Sequence, residues 1–214
     1  LWVASEQRLT VGGVRMRPDQ PRPTFSEGGQ LWVNAYAPPA HDAVGGDARP
    51  GLALLAHLLP DRAERAWFTQ WLAFKVRHPH IPGPAVVMVA REFGTGRGTL
   101  AKLMSALFGP AYVYELPFES FTGRTYQAQY NEWAASSLVV CVNESSEADG
   151  SVYQTKRNSY EHLKEIVDPA AGRMREIRVK GRSNYRAIAC ASYLIATNHE
   201  DALQIPEHDR RFAV

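Results

Sequence analysis

The stretch from Pro84 to Phe108 constrains this 214-residue chain more than any other. Pro84–Ala90 is a short, unbroken apolar run, the signature of a strand buried on both faces. It leads into a glycine-rich turn, Gly94–Thr99, and then into a helical pattern with Leu100, Leu103, Met104 and Leu107 on one face, closed by Gly109 and Pro110. A buried strand that ends in glycines and opens a helix forms a cradle for an anion. Glycines let backbone N–H groups approach closely, and the helix N-terminus adds unpaired donors and the positive end of its dipole.

The aligned stretch Arg91–Thr99 departs at three points from the phosphate-loop pattern G-x-x-x-x-G-K-[ST]. Arg91 stands for the first Gly, Arg97 for the Lys, and Gly98 precedes the hydroxyl residue Thr99. Arg97 keeps the charge and can fork onto two phosphate oxygens, but its planar guanidinium is larger than an ammonium. A glycine-rich turn that binds nothing has the same outward form.

The rest of the chain repeats the alternation. Asp61–Arg77 predicts an amphipathic helix with Ala66, Trp67, Trp71, Leu72 and Phe74 on its apolar face, ended by His78 and Pro79. Thr125–Ala135 and Thr155–Val167 predict two more helices, and Leu138–Val142 a second buried strand. Arg175–Ala189 reads as a basic hairpin running into a third buried strand, Ile188–Thr197. Strands alternating with helices indicate an α/β fold with a largely parallel central sheet flanked by helices. The first 60 residues differ, holding seven of the 14 prolines and seven of the 16 glycines. Short strand-like runs there, Leu9–Val11 and Gln30–Asn34, sit between turn-rich stretches, and 41–51 reads as a linker or exposed loop. The expected organisation is a β/loop-rich N-terminal segment and linker over 1–59, followed by an α/β domain over 60–214.

Leu138–Val142 ends in Asn143 and Glu144. A carboxylate at the tip of such a strand can order Mg²⁺ and activate water beside a γ-phosphate. Glu144 is the candidate general base. Asn143 stands where Asp is preferred, and it can hold a metal-bound water without supplying charge. A strand-terminal acid is also a common exposed residue. Ala191–Asn198 reads as a strand ending in Thr-Asn, and Asn198 can position the attacking water or contact the γ-phosphate. Arg210 and Arg211 downstream can act as an arginine finger. Their bland counterparts are a capping Asn and a salt-bridged surface pair.

Lys plus Arg number 24 against 22 acids, so net charge alone implies no nucleic acid or membrane. Clustering is more informative. Six basic residues against Glu176 alone fall in the 14 positions 173–186. Arg178, Lys180 and Arg182 at the hairpin fit contact with a phosphate backbone, and charge protecting a sheet edge accounts for them as well. Cys141 and Cys190 lie in apolar runs, which points to buried thiols in a reducing compartment and excludes a disulfide scaffold. No apolar run approaches the ~20 residues of a membrane span. The start has neither the basic nor the apolar region of a signal peptide, so a cytoplasmic setting is expected. Leu1 in place of Met and the abrupt stop at Val214 suggest a domain cut from a longer chain. His78 and His80 have a chelate-like spacing with no cysteine or acid cluster beside them.

Taken in order and spacing, these residues resemble the helicase part of phage and mobile-element primase–helicases. Those belong to superfamily 3 of helicases, a branch of the AAA+ P-loop NTPases. The likeness runs through Trp67–Pro79, Gly94–Thr99, Leu107–Gly109, Asn143–Glu144, Ala196–Leu203 and Asp209–Arg211, and includes Leu31–Pro38. It implies an ATP- and Mg²⁺-dependent motor, commonly a hexameric ring, that moves on DNA. In that reading Gly94, Thr95, Gly96, Arg97, Gly98 and Thr99 bind nucleotide, and Thr99, Asn143 and Glu144 hold the metal. Asn198 is the sensor, Arg210 or Arg211 the finger, and Arg178, Lys180 and Arg182 contact DNA. Two further readings remain open: a nucleotide- or DNA-binding module without catalysis, motivated by Arg97 and Asn143, and a nucleoside-monophosphate kinase, whose loop Gly96–Thr99 echoes.

Overall fold

The computed structural model describes residues 8–38, 45–90, 95–122, 129–143, 153–198 and 202–214, with the backbone alone over 153–159. The chain divides into two compact units, Leu1–Pro38 and Pro39–Val214.

In the first unit, β1 (Val14–Arg15), β2 (Thr24–Glu27) and β3 (Gln30–Asn34) form a sheet in the order β1-β3-β2. β2 and β3 are an antiparallel hairpin. Its two turn residues, Gly28 and Gly29, both have positive φ, which the tight turn demands and which suits glycine. The Asn34 side chain ties down the preceding turn, accepting from Arg17 N and donating to the carbonyls of Arg17 and Gln20. The Arg15 guanidinium lies 3.7 Å from the centre of the Trp32 ring. β3 matches the expected run. Leu9–Val11 is not a strand, and β2 follows the proline-rich stretch that reads as a turn.

The second unit begins with α1 (Arg49–Leu58) and α2 (Arg62–Arg77). α1 takes 49–51 out of the segment that reads as a linker or exposed loop; 45–48 are exposed and irregular, and 41–44 lie outside the described residues. Pro50 falls in the first helical turn, where its missing N–H costs nothing, and Leu54, Leu55 and Leu58 supply the apolar face. α2 starts at Asp61, whose carboxylate accepts from Ala63 N and Glu64 N. Its buried residues are Phe68, Trp71, Leu72 and Lys75, whereas Trp67 and Phe74 are exposed. The helix is therefore rotated from the face its large aromatics suggest.

The remaining elements are β4 (Ala85–Val89), α3 (Arg97–Phe108), β5 (Val113–Pro117), α4 (Phe118–Phe121), α5 (Trp133–Ser136), β6 (Val139–Asn143), α6 (Tyr153–Ile166), β7 (Met174–Ile177), β8 (Tyr185–Ile188), β9 (Ser192–Thr197) and β10 (Phe212–Ala213). Five strands form one sheet in the order β10-β4-β9-β6-β5, and every pairing in it is parallel. All six residues of β9, near the middle, are buried.

Pleating sorts the sheet into two faces. On one, Met88, Ala196, Leu194, Cys141 and Asn143 meet Leu100 and Ala101 of α3. On the other, Val87, Ile195, Tyr193, Val140 and Val142 pack with Phe118, Phe121, Leu163 and Val167. Each large side chain so buried contributes about 1.5–3 kcal/mol. α3 buries Leu100, Ala101, Met104 and Phe108, the row that steps of four from Leu100 generate with its neighbour Ala101, and Leu107 on the adjacent row is exposed.

Two further expectations are corrected. Of the helix expected over Thr125–Ala135, the described part is helical only from Trp133, although Tyr130 and Trp133 are at helical spacing. The single strand expected over Ile188–Thr197 is two. β8 pairs antiparallel with β7 in a separate ribbon, and the chain leaves it through 189–191 to enter the central sheet as β9.

Candidate nucleotide site and basic hairpin

In an open parallel sheet the crevice for ligands lies beyond the carboxyl ends of the strands, where successive connections diverge. β4 ends here at Val89, β9 at Thr197 and β6 at Asn143, with β9 between the other two. Strand order thus brings the glycine-rich turn, Asn198 and Asn143 to one edge.

α3 opens on Gly96 in the left-handed region (φ 98°), with no side-chain cap. A Cβ at Gly96 would lie 3.4 Å from Leu54 Cδ1, so α1 closes over the turn. Nothing stands within 4 Å of a Cβ at Gly98. Thr99, in the first turn of α3, is exposed. The Thr95 hydroxyl is buried and has no hydrogen-bond partner among the described residues. Arg97, the first helical residue, turns across the crevice, and its Nη2 donates to Asn198 Oδ1 at 2.6 Å. Arg97 and Asn143 line one small cavity of about 10 Å³ with Met88, Leu100, Cys141 and Ala196. Asn143 Nδ2 donates to Glu115 Oε2 of β5 at 3.4 Å. Four polar side chains from β5, α3, β6 and the end of β9 therefore converge. A larger apolar groove of about 770 Å³ runs along β4, lined by Leu58, Trp67, Phe68 and Val86, with Glu64 the one ionisable side chain among the described residues of its wall.

Gly94 and Glu144 lie outside the described residues, as does Arg91. Among the described residues no group of three or more His, Cys, Asp and Glu side chains could hold a metal ion. The oxygen donors Thr99, Asn143 and Glu144 are chemically suited to Mg²⁺, which prefers few protein oxygens and keeps its waters.

The two terminal arginines separate. Phe212 is opposite Ala85, so both precede β10 at the amino edge of the sheet. About 13 Å of strand divides them from the glycine-rich turn, more than an arginine side chain spans. Arg211 Nη1 bonds Asp209 Oδ2 at 3.0 Å, and Tyr160 Oη donates to the same oxygen at 2.7 Å. Burial pushes the Asp209 carboxyl up, but the bonds from Tyr160 and Arg211 outweigh it and hold it below the usual range. Arg210 is exposed.

β7 and β8 form the expected basic ribbon. Asn131 pins its base, donating Nδ2 to Glu176 O and accepting at Oδ1 from Arg178 N. Ile177 and Val179 are buried against Ala134. Arg178, Lys180, Arg182 and Arg186 are exposed, and Gly181 turns the tip with φ 72°. Arg178 Nε is 3.5 Å from Glu176, a surface pair of little energetic weight.

Sequence reasoning missed two charged residues. Lys75 is 1% exposed and donates to Pro79 O at 2.8 Å, Ile81 O at 3.2 Å and Cys190 O. Burial pushes its ammonium down to about 7. A lysine in a helix ordinarily reads as surface, and nothing in the residue order signals this role. Glu115 was equally hidden, because β5 has no clear strand pattern. Cys141 and Cys190 are buried and form no disulfide, as expected, and burial, then Glu115, pushes the Cys141 thiol up to about 12. Among the described residues no helix is long and apolar enough to cross a membrane.

Comparison with known proteins bears on the fold. Residues 88–211 match a family described as a family of unknown function, DUF5906. No curated protein matches the chain. Among solved structures, the apo NrS-1 C-terminal region (305–718) is similar with a TM-score of 0.76 at 21% identity, over 93% of this chain and 46% of that one. An A-form apo structure of the NrS-1 C-terminal region gives 0.73 at 23% identity, over 93% and 45%. The fold is shared, and this chain spans less than half the length of those structures.

Proposed function

The chain belongs to the DUF5906 family, whose function is unknown, and from that premise we propose that residues 39–214 form an ATP-dependent DNA helicase or translocase module of a phage- or mobile-element-type replication protein. The observation that carries the reading is the contact of Arg97 with Asn198 across the carboxyl ends of β4 and β9. It couples the candidate phosphate-binding residue to the candidate sensor. The uncapped start of α3 and the Thr95 hydroxyl, with no partner among the described residues, support an anion in the same crevice.

In this reading the backbone of 94–99 cradles the phosphates and Arg97 forks onto the β- and γ-phosphate oxygens. Thr99, Asn143 and Glu144 would hold Mg²⁺, which when bound would neutralise phosphate charge. Glu144 takes a proton from the attacking water as its oxygen bonds to the γ-phosphorus. The bond from that phosphorus to the β-bridging oxygen breaks, releasing ADP and phosphate. Asn198 orients the water. Arg210 serves a neighbouring copy's nucleotide, since Arg211 is committed to Asp209 and neither reaches its own loop. The exposed ribbon tip contacts the DNA backbone.

A second reading, a nucleotide- or DNA-binding module without turnover, is favoured by Arg97 in place of lysine and Asn143 in place of aspartate. ATP hydrolysis with and without single-stranded DNA, beside Glu144→Gln, decides between them. DNA-stimulated turnover abolished in the variant supports the motor. No turnover in either protein, with nucleotide or DNA binding intact, supports the binding module.

A further inference from the structure

We propose that Glu115 of β5 supplies the negative charge that Asn143 lacks, acting as a positioning residue for the divalent ion that accompanies the nucleotide. The inference rests on the nucleotide site proposed above. β5 and β6 run parallel, with Glu115 opposite Cys141 and Pro117 opposite Asn143. Residues opposite each other share a face, so Glu115 stands on the face where Cys141 and Asn143 line the cavity beneath Arg97. Its Oε2 accepts from Asn143 Nδ2 at 3.4 Å. The contact orients the amide. With Nδ2 turned toward Glu115, Asn143 Oδ1 is left to accept from a metal-bound water.

An aspartate at 143 would carry its own charge and would repel Glu115. The pair as found places one carboxylate and one neutral amide where a pair of acids would oppose each other. β5 is the edge strand of the sheet, and a glutamate there also discourages edge pairing. That role needs charge anywhere along the strand and is indifferent to residue 143.

The test is a charge transfer across the pair in the full 214-residue chain. Binding of a fluorescent ATP analogue is titrated with Mn²⁺, and again in excess EDTA. Glu115→Gln is expected to raise the Mn²⁺ concentration at the midpoint at least about fivefold and to leave metal-free binding unchanged. Adding Asn143→Asp to Glu115→Gln is expected to bring the midpoint back to within about twofold of the parent. The glutamate is exposed, and thermal unfolding of both variants checks that they fold. An unchanged midpoint in Glu115→Gln, or failure of Asn143→Asp to restore it, overturns the role of Glu115 and leaves the nucleotide site standing. Binding by the parent chain that does not respond to Mn²⁺ overturns the role of Glu115 alone, and absence of nucleotide binding with or without Mn²⁺ overturns both.

Discussion

The two ends of the central sheet treat their polar groups differently. At the amino end, Lys75 donates to three carbonyls, Gly83 N donates to Ser192 Oγ at 2.9 Å, and Asp209 is held by Tyr160 and Arg211. At the carboxyl end, among the described residues, α3 starts without a side-chain cap, the Asn143 side chain makes one long bond, and the Thr95 hydroxyl makes none. Satisfied buried polar groups fix one structure, and an incompletely satisfied set is a place for a ligand to complete. The buried Tyr193 hydroxyl, level with Ala85, is an exception at the amino end; otherwise the amino end is the satisfied one, and the proposed chemistry lies at the other.

The largest effect that should follow from this contrast is at Lys75. Lys75→Met leaves three buried carbonyls without their donor and should cost about 3 kcal/mol or more, lowering Tm by roughly 10 °C. The pH dependence has a definite sign. The folded ammonium titrates near 7 and the unfolded one near 10.5, so the unfolded chain binds the extra proton between them. Stability from this group therefore rises with pH across that window, by at most about 1.4 kcal/mol per unit. Chemical denaturation at several pH values should show the rise in the parent chain and its loss in Lys75→Met.

Next in size is Asp209→Asn, expected to cost about 1.5 kcal/mol near neutral pH by weakening the charge-assisted bonds from Arg211 and Tyr160. Because the folded carboxyl titrates below its unfolded value, this stability is present above the ordinary aspartate range and is lost on acidification. Denaturant midpoints near pH 7 and pH 3 measure it. Arg97→Ala should cost less than about 1 kcal/mol in stability and at least about tenfold in ATP affinity. A loss of stability as large as that of Lys75→Met would erase the distinction between the two ends. Smallest in stability, within about 0.5 kcal/mol, is the pair Lys180→Ala and Arg182→Ala. It should lower the salt slope of single-strand binding by about 1.4, two phosphate contacts at about 0.7 each. An unchanged slope would remove the ribbon tip from the DNA surface.

Legibility in the sequence followed the same division. β4, β6 and α3 were readable because unbroken apolar runs and helical spacing are enforced by burial. α1 was hidden by Pro50 and Gly51, which look like breakers until placed in a first helical turn. β5 was hidden because Tyr114, Glu115 and Pro117 are exposed along an edge. The site was legible where residue type dictates chemistry, as for Arg97, Asn143 and Asn198. It was illegible where a partner comes from a distant strand, as Glu115 does. The choice between Arg210 and Arg211 needed Asp209 in space, since adjacent arginines are equivalent on paper.

The strand order has a further consequence, for the way the molecule is made. β4 lies between β9 and β10, so each of its pairings waits for a segment at least about 100 residues later in the chain. β4 is thus without either neighbour until β9 is synthesised, and contacts so distant in sequence form slowly. The interval leaves an apolar strand without sheet partners, the condition that favours association with other chains. A fragment ending before Ser192 would contain the glycine-rich turn and Arg97 and still lack the strand that holds Asn198 beside them.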